Sequence, residues 1–504
     1  MEKKYLVGLD IGTTSLKGIL IDAAGEILAT SRREYMLETS NEYCELDPEV
    51  YWENTLFIIK ELLLQSMVKK SEIVALSFSS QGETIIPVSK DGKPLSKAIV
   101  WLDNRSAAEA ETIQSAFGVD ELLEKTGQPE ILPLWPATRI LWYRNNKPDI
   151  FENVHKYLLV EDYLIYKFSG IFCTEQSLVS STLYYDIVKK QWWKPMLDFL
   201  GINEDKLPEV HSSGTFVGEI LKEIAIETGL PENLKIITGA YDHAAGAIGS
   251  GNIHAGCISE TTGASMAMCV TLDYPVLEKS LNLPCQCHAV PGKFFLLPYG
   301  QTAGMVLKWF KDQFCAQDVK EAEINNEDVY DLLTAQASCI PIGSDGLLML
   351  PHLMGAGSPE FNPLAKGLFI GISLNTTKAH FIRAIMESIA CMIYKNIENI
   401  RNHQIPVAEI RALGGGAKSI LWNQMKADLS NIPLITLKST ETASMGAAIL
   451  AGLGAGVFQS IEEACAKIVH KDLVFHPNKA HTADYRKIYE KYIELYEIIR
   501  VFWK

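Results

Sequence analysis

The sequence predicts an α/β fold built from two related domains, and three observations support this prediction. The chain has 504 residues, which is too long for one ordinary domain. Apolar runs typical of strands alternate with stretches of helical periodicity, which is the pattern of α/β layers. One short passage in each half also places threonines and a glycine at a turn between two strand-like runs.

The first of these passages lies close to the N-terminus. Apolar residues 6–10 and 16–22 flank the turn Gly12-Thr13-Thr14, which predicts two strands joined by a tight turn. A helix is predicted from Asp47-Pro48, because Asp is a good N-cap and Pro suits the first helical position. A strand over residues 73–78 follows, so strands and helices alternate from the start of the chain.

A similar passage begins the second half. Residues 258–270 place Thr261-Thr262-Gly263 between two strand-like runs, which suggests an internal repeat. Closely spaced glycines predict a flexible stretch near residues 245–255, where a domain boundary is expected. The predicted domains are therefore residues 1–248 and residues 249–504.

Composition and charge exclude several kinds of partner. The formal net charge is −15, so the surface would repel nucleic acid and anionic lipid, and neither is an expected partner. No segment approaches the roughly 18 apolar residues of a membrane span, and no signal-peptide pattern is present. The 10 cysteines are scattered, as in a reducing compartment, so a cytoplasmic location is expected. Cys285, Cys287 and His288 could be written as metal ligands, but alternate residues of one strand simply share a face, which favours packing.

Two turns and a glycine-rich segment are candidates for binding phosphate or a flat ligand. Asp10 ends the first strand and could hold Mg²⁺, while Thr13 and Thr14 could face phosphate oxygens. An ordinary hairpin with a locally satisfied Asp is an equal alternative. Thr262-Gly263 is a second phosphate candidate, and Gly414–Ala417 permits close backbone approach before a helix. A glycine loop without a ligand is equally allowed there, and the small residues 444–448 predict a helix packed behind this loop.

Asp242 is the candidate catalytic base. An apolar strand over residues 234–237 leads to it, and a helix is predicted to begin at this point. The local sequence favours the alternative that Asp242 is the N-cap of this helix. His243 could contact a substrate or lie in the first helical turn.

A cluster of polar residues could bind a hydroxyl-rich small molecule. Gln81 and Glu83 can hydrogen-bond to hydroxyl groups, and Gly82 between them leaves space. Trp101 could cover the apolar face of a sugar, although simple core packing is an alternative.

Together these features resemble the FGGY family of carbohydrate kinases, in the family's order and over nearly the whole chain. The most specific match is the family's C-terminal signature, which comprises Gly367–Ile372, His380-Phe381 and Ala384–Glu387. The N-terminal signature matches at Pro136, Ile140 and Trp142, whereas Leu134 is atypical and Arg139 stands where a Lys is usual, which we interpret as drift with retention of charge.

The resemblance implies two ribonuclease-H-like domains of the actin-like ATPase type, with ATP and a sugar in a central cleft. It implies that residues 1–248 bind the sugar and residues 249–504 the nucleotide. It places Asp10 at the Mg²⁺ site and Asp242 as the base. It places Gln81, Gly82, Glu83, Trp101, Asp242 and His243 around the sugar. It assigns the phosphates to Thr13, Thr14, Thr262 and Gly263, and the rest of the nucleotide to Gly304, Gly415, Gly416 and Ala417.

The sugar is predicted to be a ketopentose such as D-xylulose, with gluconate, glycerol or another polyol or deoxysugar as alternatives. Glycerol kinases have Arg where Gly82 stands, so its absence is expected to make room for a longer substrate. Xylulose kinases usually have a Met-His pair at this place, which this chain lacks, but His288–Gly292 and Gly414–Ser419 look like the xylulose and gluconate branches. A non-catalytic ATP-driven clamp on the same fold is the alternative from another class. For the oligomeric state, a homodimer is one possibility.

Overall fold

The computed structural model describes residues 3–503 and has a mixed sequence of strands and helices. In the first half the strands are β1 Tyr5–Ile11, β2 Ser15–Asp22, β3 Ile27–Glu34, β4 Glu38–Ser40, β5 Tyr43–Leu46, β6 Ile73–Ser80, β7 Ile86–Val88, β8 Ala98–Ile99, β9 Lys156–Leu158, β10 Cys173–Glu175, β11 Tyr185–Asp186, β12 Gln191–Trp192, β13 Glu209–His211, β14 Phe216–Glu219, β15 Lys235–Ile237 and β16 Ala240–Tyr241. The helices of this half are α1 Pro48–Ser66, α2 Ala107–Thr126, α3 Pro136–Asn146, α4 Pro148–Asn153, α5 Val160–Ser169, α6 Gln176–Val179, α7 Lys194–Leu200, α8 Lys222–Thr228 and α9 Asp242–Ser250.

The second half continues with its own strands and helices. Its strands are β17 Cys257–Thr262, β18 Met266–Leu272, β19 Cys285–Cys287, β20 Phe294–Leu296, β21 Tyr299–Gly300, β22 Leu348–Leu350, β23 Leu368–Ile370, β24 Glu409–Leu413, β25 Leu434–Leu437 and β26 Lys471–Phe475. Its helices are α10 Gly304–Phe314, α11 Ala316–Asn325, α12 Val329–Ser338, α13 Lys378–Asn402, α14 Ile420–Ser430, α15 Thr442–Gly454, α16 Ile461–Ile468 and α17 Lys479–Ile499.

The two large sheets have the same core topology. The first has the order β14-β15-β6-β1-β2-β3, in which β1, β2 and β3 are antiparallel and β6 and β15 run parallel to β1. The second has the order β19-β20-β18-β17-β24-β25-β26, in which β17, β18 and β20 are antiparallel and β24 and β25 run parallel to β17. The internal repeat predicted from two threonine-containing turns is therefore confirmed.

The predicted start of the first helix is also confirmed. The Asp47 side chain accepts a hydrogen bond from the Glu49 N–H at 3.0 Å, and Pro48 is the first residue of α1. The helix buries Tyr51 and Ile58 in the core of the first half. This helix and the sheet thus fold as the local sequence indicates.

The prediction of a flexible stretch near residues 245–255 is wrong. Most of it forms the buried helix α9, so the predicted boundary between residues 248 and 249 falls inside a helix. A Cβ on Gly249 would lie 1.8 Å from the Thr442 carbonyl oxygen of α15, and a Cβ on Gly446 would lie 1.9 Å from the Ala245 carbonyl oxygen. The glycines therefore allow two helices to pack in close contact, rather than making the chain flexible.

The position predicted for the small residues 444–448 also needs correction. They lie on α15, which packs against α9, β1 and β6. The helix therefore joins the second half of the chain to the first sheet, and does not lie behind the Gly414–Ala417 loop. Its small side chains fit this position because backbone atoms of the partner elements come so near.

The C-terminal signature motif has a structural role in the second half. Glu387 of α13 accepts hydrogen bonds from the Gly343 N–H at 3.0 Å and the Ser344 hydroxyl at 2.9 Å. The Arg383 guanidinium pairs with the same carboxylate at 3.0 Å, and both side chains are buried. The motif therefore fixes α13 to the turn before β22.

The cysteine–histidine cluster is part of the core. Cys285 and Cys287 lie on β19 and are buried, and the His288 Nδ1 accepts a hydrogen bond from the Val290 N–H at 3.0 Å. Burial lowers the pKa of His288 to about 3. Within residues 3–503 no three His, Cys, Asp or Glu side chains are grouped as metal ligands, and no helix is long and apolar enough to cross a membrane.

Candidate active site

Three carboxylates come together at the carboxyl end of the first sheet. In the strand register Asp10 of β1 lies beside Ser79 of β6, and Ser79 lies beside Ala240 of β16. Asp242 follows β16 directly, and Glu83 follows β6 after a short turn. Because parallel strands are about 5 Å apart, these three groups converge at one edge of the sheet. The structure thus brings together the predicted metal ligand, sugar ligand and base.

The side chain of Asp10 is oriented by a hydrogen bond from the neighbouring strand. The Ser79 hydroxyl donates a hydrogen bond to the Asp10 Oδ1 at 2.8 Å. Burial, followed by the proximity of Asp242, raises the pKa of Asp10 to about 6, although the Ser79 hydrogen bond and Lys17 act in the opposite direction. A cation beside these two carboxylates would therefore be favourable.

Glu83 has an unusual backbone conformation. Its φ is 58°, in the left-handed region that residues other than Gly seldom adopt. Burial, followed by repulsion from Asp242, raises the pKa of Glu83 to about 8, against the opposing effects of Ser181, Arg139 and Tyr241. Near neutral pH this carboxyl group is therefore largely protonated, and it can donate as well as accept a hydrogen bond.

Asp242 is the first residue of α9, and the prediction that it is the N-cap is wrong. Tyr241 occupies the N-cap position, and its side chain makes no capping hydrogen bond. The Asp242 Oδ1 accepts a hydrogen bond from the His243 N–H at 2.7 Å, and about 33% of the side chain is exposed. The His243 Nε2 lies 3.9 Å from the same oxygen. The carboxylate is thus accessible at the edge where the other two carboxyl groups lie.

Gly82 does not make room for a longer substrate, so this expectation is wrong. A Cβ at Gly82 would lie 2.7 Å from the Tyr241 ring and 3.1 Å from the Ser181 hydroxyl. The space next to the glycine is therefore already filled by protein. Gly82 allows Tyr241 to pack beneath the turn that carries Glu83.

The first candidate phosphate turn is held in place by hydrogen bonds. Gly12, Thr13 and Thr14 connect β1 to β2, and the Gly12 N–H donates to the Ser15 carbonyl at 3.0 Å. The Tyr35 N–H donates to the Thr14 carbonyl at 3.0 Å, and the Tyr35 hydroxyl donates to the Gly12 carbonyl. Thr14 is exposed at the tip of the turn, where it can meet a ligand.

Gln81 and Trp101 contact this turn directly. The buried Gln81 amide donates to the Gly12 carbonyl at 3.3 Å and to the Tyr51 hydroxyl at 3.1 Å. The Trp101 indole N–H donates to the Thr13 hydroxyl oxygen at 2.8 Å. Two residues predicted to border the sugar are therefore bonded to the predicted phosphate turn.

The second candidate turn lies two residues later than the sequence indicated, at residues 263–265 rather than 261–263. Thr262 ends β17, and the connection to β18 is formed by residues 263–265. The Thr262 hydroxyl faces inward, where it contacts Glu260 and accepts a hydrogen bond from the Lys426 ammonium at 2.7 Å. Lys426 and Glu260 form a buried ion pair at 2.7 Å. Only the backbone and the residues at the tip of this turn can therefore reach a phosphate.

The glycine loop packs directly on this second turn. It follows β24, in which Leu413 lies beside Thr261 of β17. A Cβ on Gly416 would lie 2.6 Å from the Thr262 Cβ, whereas a Cβ on Gly415 would meet no atom within 4 Å. Ala417 follows in the same turn. Gly415 thus borders open space in the way that a flat ligand requires.

Gly304 belongs to the same cluster. It begins α10, and its N–H donates to the Gly263 carbonyl at 2.8 Å. A Cβ at this position would lie 2.5 Å from that carbonyl oxygen. The predicted nucleotide residues Thr262, Gly263, Gly304, Gly415, Gly416 and Ala417 therefore come together in the second half.

Tyr299 is a residue of the second half that is influenced by the charge of Glu83, and no local sequence pattern indicates it. It lies on β21, in register beside Ala267 of β18. Burial, followed by the charges of Glu130 and Glu83, raises the pKa of Tyr299. The charge of Glu83 thus acts on a residue of the second half.

Arg139 is a supporting residue whose role goes beyond the retained charge expected from the sequence. It is fully buried on α3, and its guanidinium donates to four carbonyl oxygens. These are Glu83 at 2.6 Å, Val100 at 2.8 Å, Ile99 at 3.2 Å and Asp103 at 3.3 Å. Burial lowers its pKa to about 10. A Lys has too few donors in too compact a head group to hold the same four carbonyls, so this Arg is more than a retained charge.

Comparison with known proteins identifies the family. Residues 5–249 match the N-terminal domain, and residues 260–455 the C-terminal domain, of the FGGY family of carbohydrate kinases. The chain is 32% identical to a xylulose kinase of Bacillus subtilis over 501 residues, covering 98% of this chain and 97% of the relative. It is 29% identical to a gluconokinase of the same organism over 499 residues, covering 98% and 96%.

A solved structure supports the same assignment. The ligand-bound xylulose kinase from Lactobacillus acidophilus superimposes with a TM-score of 0.90 at 27% identity, covering 99% of this chain and 98% of that one. The predicted fold of two ribonuclease-H-like domains is thereby confirmed, together with the repeated sheet topology. The chain therefore belongs to the FGGY family of carbohydrate kinases, which are phosphotransferases with an alcohol group as acceptor.

Proposed function

We propose that this chain transfers the γ-phosphate of ATP to a hydroxyl group of D-xylulose. The observation that carries the proposal is the convergence of Asp10, Glu83 and Asp242 at one sheet edge. Full-length relatives at 31–33% identity that are named xylulose kinase support this choice of sugar. Gluconate is the second candidate, because gluconokinases match at 28–29% identity over almost the same length.

Asp242 is the proposed general base. It takes the proton of the attacking hydroxyl, whose oxygen then forms a bond to the γ-phosphorus while the bond from that phosphorus to the ADP oxygen breaks. Its partial exposure and its position at the strand edge suit this role. Glu83, held protonated near neutral pH, orients a neighbouring sugar hydroxyl by a hydrogen bond.

The remaining proposed sugar contacts surround these two groups. Gly82 and His243 flank them in the chain, and the Trp101 ring offers an apolar face. Gln81 uses its amide on protein partners, so we propose that it positions the site and does not touch the sugar.

The residues around Asp10 fit a Mg²⁺ ion. Mg²⁺ is bound through one or two carboxylates together with substrate phosphates, so a cluster of three protein ligands is not required. Asp10 is raised in pKa by burial and by a second carboxylate, which is the environment that a divalent cation relieves. When bound, the ion would neutralise the charge of the phosphates.

The proposed nucleotide site lies mainly in the second half of the chain, and the first hairpin of the first half adds contacts to the phosphates. Thr13, Thr14 and the backbone of Gly263 face the phosphates from their two hairpins. Gly304, Gly416 and Ala417 shape the wall, and Gly415 leaves open space beside it. The domain roles follow: residues 1–248 bind sugar and residues 249–504 bind nucleotide.

We also propose a cytoplasmic location, with the sugar and ATP as the partners. All ten cysteines are free and nine are buried, as is usual in a reducing compartment. A homodimer stays a prediction.

A screen of ADP release tests the proposed function. D-xylulose, gluconate, glycerol and deoxyketoses are supplied in turn with Mg·ATP, and we expect the highest kcat/KM for D-xylulose. A higher value for gluconate would transfer the assignment to that acid. ATP hydrolysis at the same rate with and without every sugar would instead favour the non-catalytic ATP-driven clamp.

A further inference from the structure

A closed ring of hydrogen bonds joins the first phosphate turn to the sugar-site segments. The Gln81 amide nitrogen donates to the Gly12 carbonyl, and the Gln81 amide oxygen accepts from the Thr84 hydroxyl at 3.1 Å. The Thr84 hydroxyl oxygen in turn accepts from the Trp101 backbone N–H at 3.2 Å. The Trp101 indole then donates to the Thr13 hydroxyl at 2.8 Å and closes the ring.

Most of this hydrogen-bond ring is buried, and only the bond between Trp101 and Thr13 lies near the surface. Gln81 and Thr84 are 2% and 0% exposed, so their hydrogen bonds are protected from water. Trp101 and Thr13 are only partly buried, and both belong to the proposed binding surfaces. A ligand that moves the Trp101 ring must therefore move, or release, the Thr13 hydroxyl.

The direction of this bond matters for the phosphate turn. The Thr13 oxygen accepts from the indole, so the hydroxyl hydrogen of Thr13 remains free to donate to another acceptor. A phosphate oxygen is such an acceptor. The rotamer of Thr13 is thus set by a side chain of the sugar site.

We propose that the Trp101–Thr13 hydrogen bond couples sugar binding to phosphate binding, with Trp101 as a positioning residue for the phosphate turn. This inference rests on the proposed function of the same site. Sugar against the Trp101 ring fixes the indole, the indole fixes the Thr13 hydroxyl, and the nucleotide phosphates then bind more tightly. Because linkage is reciprocal, nucleotide tightens sugar binding by the same factor.

Calorimetric titration tests the coupling. The affinity for the magnesium complex of the imido analogue of ATP is measured with and without saturating D-xylulose, and the ratio of the two dissociation constants is the coupling factor. For the wild type a factor between about 5 and 150 is expected. Trp101→Phe keeps an aromatic ring at this position but removes the indole N–H. It should lower the coupling factor about two- to tenfold, as expected for the loss of one hydrogen bond.

A double-mutant cycle separates the bond from general damage to either site. Thr13→Val removes the acceptor, and the factor of the double variant should equal that of Trp101→Phe alone. The matched control is Trp135→Phe, which also loses an indole hydrogen bond, to the Glu130 carbonyl at 3.0 Å, but away from the turn. It should keep the wild-type factor. Additive losses in the double variant, or an unchanged factor in Trp101→Phe, would overturn the proposal.

A second readout does not depend on the choice of sugar. In protein labelled with ¹⁵N-tryptophan, the Trp101 indole signal is identified by its absence from Trp101→Phe. The ATP analogue alone should shift this signal, and Thr13→Val should shift it in the free protein. If D-xylulose is not phosphorylated but these shifts occur, the choice of sugar is wrong and the proposed Trp101–Thr13 coupling is supported. If the nucleotide does not shift the signal, the proposed coupling is wrong for any sugar.

Discussion

At the residue scale, the site depends on carboxyl groups whose ionisation is altered by burial and by one another. Asp10 and Glu83 both have raised pKa values, and in each case burial is the larger cause and Asp242 the second. The backbone of Glu83 is in the left-handed region, and its carbonyl oxygen accepts a hydrogen bond from Arg139 at 2.6 Å, which helps to hold this conformation. The proposed sugar contact of Glu83 is thus associated with a local cost in stability.

Glu83→Gln should change how stability depends on pH. The pKa of Glu83 is about 8 in the folded chain against an ordinary 4.5, so the folded state holds a proton that the unfolded state has released. Stability is therefore lost as pH rises from about 4.5 to about 8, by up to a few kcal/mol at about 1.4 kcal/mol per pKa unit. In the ligand-free enzyme the urea midpoint of Glu83→Gln, relative to wild type, should increase from about pH 5 to about pH 9.

Glu111→Gln, on the exposed face of α2, is the control. Parallel pH curves for Glu83→Gln and wild type would contradict this prediction.

Two neighbouring glycines should respond differently to the same substitution. Gly415→Ala adds a Cβ in open space, so stability should stay within about 0.5 kcal/mol while the KM for ATP rises. Gly416→Ala forces a Cβ to 2.6 Å from that of Thr262, so about 1–3 kcal/mol of stability should be lost as well. Thermal unfolding and steady-state kinetics measure both. Equal effects of the two variants on unfolding would count against this geometry.

Sequence alone could indicate some of these residues and not others. Asp10 and Asp242 each end or follow an apolar strand, and such positions can be identified from periodicity and turn residues. Tyr299 and Arg139 carry no comparable local pattern. Their roles depend on which carbonyl groups or carboxylates the tertiary fold brings next to them.

At the scale of elements, the most informative difference from expectation is α9. Its glycines predicted a flexible boundary, because Gly in isolation favours loops. The structure uses them for close contact between α9 and α15, and that contact depends on residues 190 or more positions later in the chain. Elements such as α1 and β1 were predictable because the capping residues of the helix and the apolar run of the strand are local features.

Gly249→Ala should separate these two helices. Its Cβ would lie 1.8 Å from the Thr442 carbonyl oxygen, so a loss of about 1–3 kcal/mol in unfolding free energy is expected. Gly246→Ala is a matched control in the same helix, since its nearest contact is the Thr442 hydroxyl at 3.9 Å. That variant should be neutral or up to about 1 kcal/mol more stable. Urea unfolding of both variants checks the prediction, which fails if Gly249→Ala is as stable as Gly246→Ala.

At the scale of the whole molecule, two sheets of one topology each carry part of the proposed site at equivalent edges. The first sheet contributes the carboxylates, and the second contributes the glycine loop and the second hairpin. The close contact between α9 and α15 joins the two halves. We expect the two halves to close on their ligands, because exclusion of water favours phosphoryl transfer over hydrolysis.

The central claim is that Asp242 removes the proton of the sugar hydroxyl, and the kinetics of Asp242→Asn test it most directly. The amide keeps the size and the hydrogen bond from the His243 N–H but is not basic. With D-xylulose and Mg·ATP, kcat for ADP release should fall by a factor of about 10²–10⁴, while the dissociation constant of the ATP analogue changes by less than about threefold. Turnover close to that of wild type in a folded Asp242→Asn enzyme would contradict the account.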